Sequence, residues 1–390
     1  MKAFTPFKLG KVLLKNRVVR SSTAESMALP DGRITSHLIT LYNALSEGGT
    51  GLIITGGAYV HISGRSYPGV IGVDQDAQIP GLSELAAACS LRGTVPLLQI
   101  YHCGRQKFDG TPALGPSSVR DPILPAPREL AIDEIDLLFS AFGDAARRAQ
   151  LAGFPGVQIS ACNGHLIQQF LSPLTNRRRD KYGGSTENRA RFLIEVCRAV
   201  RKRVRPDFLV VVKLAMSDLE TGGLTEEEAL RVSACLVNEG VDAIEVTAGT
   251  YKTGFCTSLG DIPVEDVMQT DAMKAASPFR KIAARHYLNK LRKQSRFEEA
   301  YFRHFSKLLK QHVSIPVILV GGIRTVATME GLILGEFTDL VAMSRPLIRQ
   351  PAIVDKMIGN PSIKPACTSC NRCVVRVASG RPLICYSRLT

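Results

Sequence analysis

Eight short apolar runs recur along the chain, at residues 17–22, 51–55, 95–101, 156–160, 208–214, 243–247, 316–320 and 339–343, with longer mixed stretches between them. Each run is rich in Val, Ile and Leu at successive positions, the pattern of parallel strands covered on both faces. The stretches between them carry helix-start signals. In Thr225-Glu226-Glu227-Glu228 a hydroxyl stands three residues ahead of a glutamate, a capping box at the head of a helix. Eight strand–helix units in one continuous series predict an α/β fold closed into a (β/α)8 TIM barrel, since an open doubly wound sheet usually has fewer strands. The expected organisation is a barrel over residues 1–350 and a short Cys-rich C-terminal extension over residues 351–390. The stretch 249–300 is too long for a strand-to-helix loop and is read as a lid insertion or a helical embellishment.

A barrel of this kind builds its site from the loops after the strands. Ser160, Asn163 and His165 follow the fourth run directly and are candidates to face a substrate. Gly321 and Gly322 follow the seventh run, and Ser344 and Arg345 the eighth. Glycines let a ligand approach the backbone, and amides beside a helix start and an Arg suit a phosphate.

Composition narrows the class. The chain has 390 residues, 45% of them hydrophobic, no apolar run long enough to span a bilayer and no basic-then-apolar leader, so a cytoplasmic location is expected. Ten Cys, several in a tight C-terminal group, read as metal or redox chemistry rather than a disulfide framework. The net charge of +14 concentrates at residues 177–181, 198–205 and 280–293, which fit solvated helix faces better than a nucleic-acid or membrane surface.

Several ordered motifs carry a resemblance. Lys15-Asn16-Arg17 enters the first strand, Gly51-Leu52-Ile53-Ile54-Thr55-Gly56-Gly57 forms the second, and Gln99-Ile100-Tyr101-His102-Cys103-Gly104-Arg105 ends the third. Gln169-Phe170-Leu171-Ser172-Pro173, Asp180-Lys181-Tyr182-Gly183-Gly184-Ser185, Val320-Gly321-Gly322-Ile323-Arg324 and Met343-Ser344-Arg345-Pro346 follow. In this order they resemble the old yellow enzyme family of FMN-dependent NADH:flavin oxidoreductases. The resemblance implies that Gly321, Gly322, Ser344 and Arg345 hold the FMN phosphate and that Thr23 and Gly57 line the ring system. Gln99 would meet the pyrimidine edge, and Lys213 would supply charge near N1, where relatives carry Arg. Ser160, Asn163 and His165 fall where ene reductases bind a substrate carbonyl and donate a proton. His165 would be the proton source, provided burial does not depress its pKa. His102 would support the flavin, and Cys103 and Cys162 read as packing thiols.

Cys367, Cys370, Cys373 and Cys385 form the C-terminal group, and spacing alone leaves open a [4Fe-4S] cluster, a zinc ion or free thiols. The motif resembles that of the 2,4-dienoyl-CoA reductase and trimethylamine dehydrogenase branch, which implies the cluster. No GxGxxG strand–helix fingerprint follows, so the dinucleotide-binding domains of those larger relatives are not expected. Within the insertion, Tyr251, Lys252 and Arg285 are expected to meet an anionic substrate. The reading is an FMN-dependent, NAD(P)H-linked ene reductase. Its alternatives are an amine dehydrogenase or demethylase passing electrons through the cluster, and a flavin electron carrier without a small substrate. The partners it allows are a small-molecule substrate, an electron-transfer protein and a second copy of the chain.

Overall fold

Alternation along eight parallel strands sorts side chains into the barrel interior and the strand–helix interface. In a computed structural model, which describes residues 1–121, 124–253 and 257–388, these strands are β1 Val18–Arg20, β2 Leu52–Tyr59, β3 Val95–Tyr101, β4 Gly156–Ala161, β5 Leu209–Ala215, β6 Ala243–Thr247, β7 Val317–Val320 and β8 Leu340–Met343. Neighbours pair in chain order, and β1 closes the ring by pairing with both β8 (Val341 with Val18) and β2 (Val19 with Leu52). The expected barrel is therefore present, with strand ends within two residues of the sequence reading except at β2, which runs on to Tyr59 past an irregularity between Ile54 and Gly57.

Val19, Leu52, Ile54, Val95, Leu97, Leu209, Val211, Ala243, Ile318, Leu340 and Ala342 pack together as the inner core. The antiparallel hairpin of Phe7–Leu9 with Val12–Leu14 adds Leu9 and Leu14 to it. Residues between them, such as Val210, Val212, Ile244 and Val246, join the larger core under the helices. Full burial of each such aliphatic side chain contributes roughly 1.5–3 kcal/mol, so a one-residue register slip would invert both layers at high cost.

The helices begin where the chain offers caps. Thr35 accepts from Leu38 N at the head of α1 (Ser36–Glu47), and α2 (Ile79–Cys89) and α3 (Ile132–Leu151) follow. Ser185 caps α4 (Thr186–Arg203), and Thr225 and Glu228 form the expected capping box of α5 (Glu226–Asn238). Then come α6 (Arg303–His312), α7 (Val326–Leu334), capped by Thr325, and α8 (Ile353–Gly359). No helix among the described residues is long and apolar enough to cross a membrane.

Among its described residues the stretch 249–300 carries the α-helices Val264–Met268, Asp271–Lys274 and Pro278–Gln294. Its Cys256 lies outside the described residues. Beyond α8, the helix Arg372–Ala378 of the Cys-rich segment docks on this excursion. Asn371 Nδ2 donates to the carbonyls of Ser258 (2.8 Å) and Asp261 (3.0 Å), and Arg372 and Arg376 pair with Asp266 at 3.1 and 2.7 Å.

Candidate active site

The inward set on each strand turns polar towards its C-terminal end. Two residues beyond Leu97, Val211 and Ala243 stand Gln99, Lys213 and Glu245, and Gln158 pairs in register with Gln99. Above this layer opens a cavity of about 520 Å³, the size of a small-ligand or cofactor site.

Glu245 is completely buried and lies 3.0 Å from Lys213 Nζ. Lys213 also donates to Ser21 Oγ (2.8 Å), and the Ser21 hydroxyl donates to Glu245. The other carboxylate oxygen accepts from Gln158 Nε2 at 2.6 Å, and Gln158 Oε1 accepts from Gln99 Nε2 at 2.7 Å. Gln99 and Lys213 line the cavity. So do Thr23, which bonds Ser344 Oγ (2.7 Å), and Gly57, where an added Cβ would lie 2.9 Å from Tyr101.

At the opposite end two guanidiniums reach the cavity. Arg345 Nη1 donates to Asn371 Oδ1 (2.6 Å) and the Ser258 carbonyl, while Arg324 donates to Ser369 Oγ and lies 3.7 Å from the Phe297 ring centre. Neither forms an ion pair with a carboxylate among the described residues. Arg324 was missed as a site residue, although it closes the glycine motif that marked this loop. The two glycines differ. Gly322 lines the cavity, whereas Gly321 does not; at its φ of +135° it lies under Tyr301 and Phe302, either of which an added Cβ would approach to 3.1 Å. The helix after Ser344 is only Arg345–Arg349, so guanidinium charge rather than a long helix dominates this end.

The third wall holds Ser66, Tyr67, Val70, Tyr101, Gln106, Phe108, Asn163 and His165. Asn163 adopts φ +56°, and its side-chain amide has no protein partner among the described residues. His165 lies against Tyr101 at 4.8 Å between ring centres, and Ser160 Oγ sits 3.0 Å from its Nδ1. With Ser160 donating there, the ring keeps its proton on Nε2. Burial, aided by the Lys213 charge, pulls this imidazole down to about 4, so it is neutral at pH 7. The proviso on His165 as an acid is therefore not met: it can donate a hydrogen bond but holds no imidazolium proton. Ser160 does not line the cavity and acts only through His165.

Other expected residues are placed elsewhere. His102 is buried behind the wall, with Nδ1 accepting from Gly104 N and Nε2 3.0 Å from Ser63 Oγ. Burial pushes the Cys103 and Cys162 thiols up to about 12 and 11, which leaves them as packing groups. Tyr251 bonds Asp121, Lys252 pairs with Glu220 at 3.5 Å and Arg285 pairs with Glu265; none lines the cavity. The stretch 249–300 instead contributes Thr257, Ser258 and Phe297 to the wall.

Cys367, Cys370, Cys373 and Cys385 line one small cavity of about 20 Å³ beside the large one, with Arg345, Ile348 and Cys373 common to both. Among the described residues no three His, Cys, Asp or Glu side chains are placed to hold a single metal ion.

A closed barrel with a large cavity above the C-terminal ends of its strands is the architecture of a barrel enzyme. The chain belongs to the NADH:flavin oxidoreductase / NADH oxidase family, whose model matches residues 2–254. It is 32% identical over 388 residues to a metal reductase of Desulforamulus reducens, covering 98% of this chain and 52% of that protein. It is 33% identical over 399 residues to an NADH oxidase of Thermoanaerobacter brockii, covering 97% of this chain and 56% of that one. The chain thus spans about half the length of these curated relatives. A solved 2-naphthoyl-CoA reductase in complex with 2-naphthoyl-CoA superposes with a TM-score of 0.85 at 27% identity, over 98% of this chain and 56% of that one.

Proposed function

We propose that the chain is an FMN-dependent, NAD(P)H-linked reductase of activated carbon–carbon double bonds. The observation that carries this reading is one cavity with an amide and a lysine at one end and, at the other, two guanidiniums that form no ion pair with a carboxylate among the described residues. Partly buried guanidiniums on a cavity wall without a carboxylate ion pair suit an anion, which the FMN phosphate would supply. Arg324, Arg345 and the Gly322 loop would hold that phosphate; Thr23, Gly57, Gln99 and Lys213 would hold the ring system. FMN, when bound, supplies hydride transfer between a pyridine nucleotide and the substrate.

The chain's own groups set the substrate class. Asn163 offers an amide N–H and His165 an Nε2–H, two neutral donors for one carbonyl oxygen. Around them stand Tyr67, Tyr101, Phe108 and Val70, with no Lys or Arg on this wall among the described residues. This favours an uncharged, planar enone over a carboxylate substrate. The proton that completes reduction then comes from a hydroxyl or water rather than from imidazolium.

Anaerobic titration of the FMN-loaded protein with NADH and NADPH tests the reading: bleaching, followed by recovery of the oxidised spectrum on adding 2-cyclohexenone, is expected. No bleaching by either nucleotide would sink it and favour the amine-dehydrogenase or electron-carrier alternatives. For the four cysteines, which line one small cavity, the reading is a [4Fe-4S] cluster, as the resemblance of their spacing implies, with zinc the alternative. Iron and sulfide assays on anaerobically purified protein check this; zinc alone would refute it. Cys373, on the wall of both cavities, would be the ligand nearest the flavin site.

A further inference from the structure

We infer that Glu245 is a positioning residue for the flavin: it fixes which end of Gln99 faces the cavity and cancels most of the charge of Lys213. This rests on the FMN reading above.

The first half follows from donor and acceptor counting. An ionised carboxylate only accepts, so Gln158 must turn its Nε2 towards Glu245, as it does at 2.6 Å. Gln158 Oε1 then points at Gln99, which must answer with Nε2, at 2.7 Å. Gln99 Oε1 is left as an acceptor beside Gly57, where an added Cβ would lie 3.3 Å from it. An acceptor is what the N3–H of a flavin pyrimidine edge needs. Without an obligate acceptor at residue 245, both amides could flip together and present a donor to that N–H instead.

The second half is electrostatic. Lys213 is the cation on the flavin edge, yet a fully buried carboxylate lies 3.0 Å from it and Ser21 bridges the two. At the distance of a bound ring the pair acts more as a dipole than as a free charge. Arg324 and Arg345 form no such ion pair among the described residues, so the barrel compensates the cation at the proposed ring end more closely than those at the proposed phosphate end.

The test uses FMN itself, with binding constants and the two-electron midpoint potential measured by dye-equilibrated anaerobic titration. Lys213→Met leaves the Glu245 charge alone and should weaken reduced FMN about tenfold relative to oxidised FMN, a fall of about 30 mV. Lys213→Met with Glu245→Gln removes both charges and should recover most of that fall. Gln158→Met cuts the amide relay without touching the ion pair; it should weaken both redox states about tenfold and leave the potential in place. A double variant as low as the single one, an unshifted K213M, or wild-type affinity in Q158M would each overturn the inference while FMN binding stands. Should K213M fail to fold, wild type and the double variant still decide, because equal potentials support cancellation and a lowered one overturns it. A wild-type protein that takes up no FMN would overturn this inference and the proposed function together.

Discussion

The two ends of the cavity hold cations in opposite ways. Lys213 sits in the barrel centre against a fully buried carboxylate, whereas among the described residues Arg324 and Arg345 bond or stack on neutral groups, namely a serine hydroxyl, an asparagine oxygen, a carbonyl and a ring face, with Glu299 acting on Arg324 only from beyond ion-pair distance. The contrast separates two uses of buried charge. A compensated cation can be positioned permanently, because its desolvation is offset inside the protein; an uncompensated pair is poised for a ligand that brings the missing anion. The wall of Asn163 and His165 is a third case, where burial keeps the His165 imidazole neutral.

Breaking the uncompensated end should have the largest effect. Arg324→Ala with Arg345→Ala removes two charged donors and should weaken FMN binding by roughly 10²- to 10⁴-fold, read by fluorescence titration of the apoprotein. An unchanged affinity would place the phosphate elsewhere.

The neutral wall gives a pH signature. His165 falls to about 4 and His102 to about 3 in the folded chain, against about 6.5 in the unfolded one, each mainly through burial. The unfolded state therefore takes up more protons on acidification. The stability tied to these neutral imidazoles is present above pH 6.5 and is lost as pH falls from 6.5 towards 4, by up to about 3 kcal/mol for His165. Urea midpoints at pH 7 and pH 4.5 should show this loss, and His165→Gln should lessen it. An equal loss in the variant would mean that His165 is not the group held neutral.

A smaller effect is expected at the ring wall. Gly57→Ala places a Cβ 2.9 Å from Tyr101 and 3.3 Å from Gln99 Oε1, so FMN should bind about tenfold more weakly with the fold retained. Circular dichroism alongside the titration separates the two effects. The smallest belongs to the insertion: Tyr251→Phe removes a hydroxyl that bonds Asp121 away from the cavity, so kcat/KM for 2-cyclohexenone should stay within about twofold of wild type while stability falls by about 1 kcal/mol. A large kinetic loss would restore Tyr251 to the site.

Much of the cavity could be read from the chain. Gln99, Lys213, Gly57, Thr23, Gly322, Ser344, Arg345, Asn163 and His165 all reach it. What escaped notice was of two kinds. Glu245 and Gln158 carried a signal that went unused: each stands at the inward period of a strand otherwise apolar, where a charge or amide must have a partner. Arg324 likewise lay inside a motif already marked. Tyr251, Lys252 and Arg285 went the other way: they lie in the long excursion 249–300, but their side chains are taken up by carboxylates from Asp121, Glu220 and Glu265.

The sequence by itself determined the closed barrel and the places of its eight strands, because these follow from the recurrence of apolar runs and from the capping residues between them. Only the tertiary structure decided which charges cancel, that Ser160 stands behind His165 rather than on the cavity wall, and that Gly322 lines the cavity while Gly321 does not, though both lie against Tyr301. The reason is that electrostatic partners and steric neighbours are set by distance in space. Lys213 finds Glu245 on the next strand, whereas Arg324 and Arg345, only partly buried in their loops, form no ion pair with a carboxylate among the described residues.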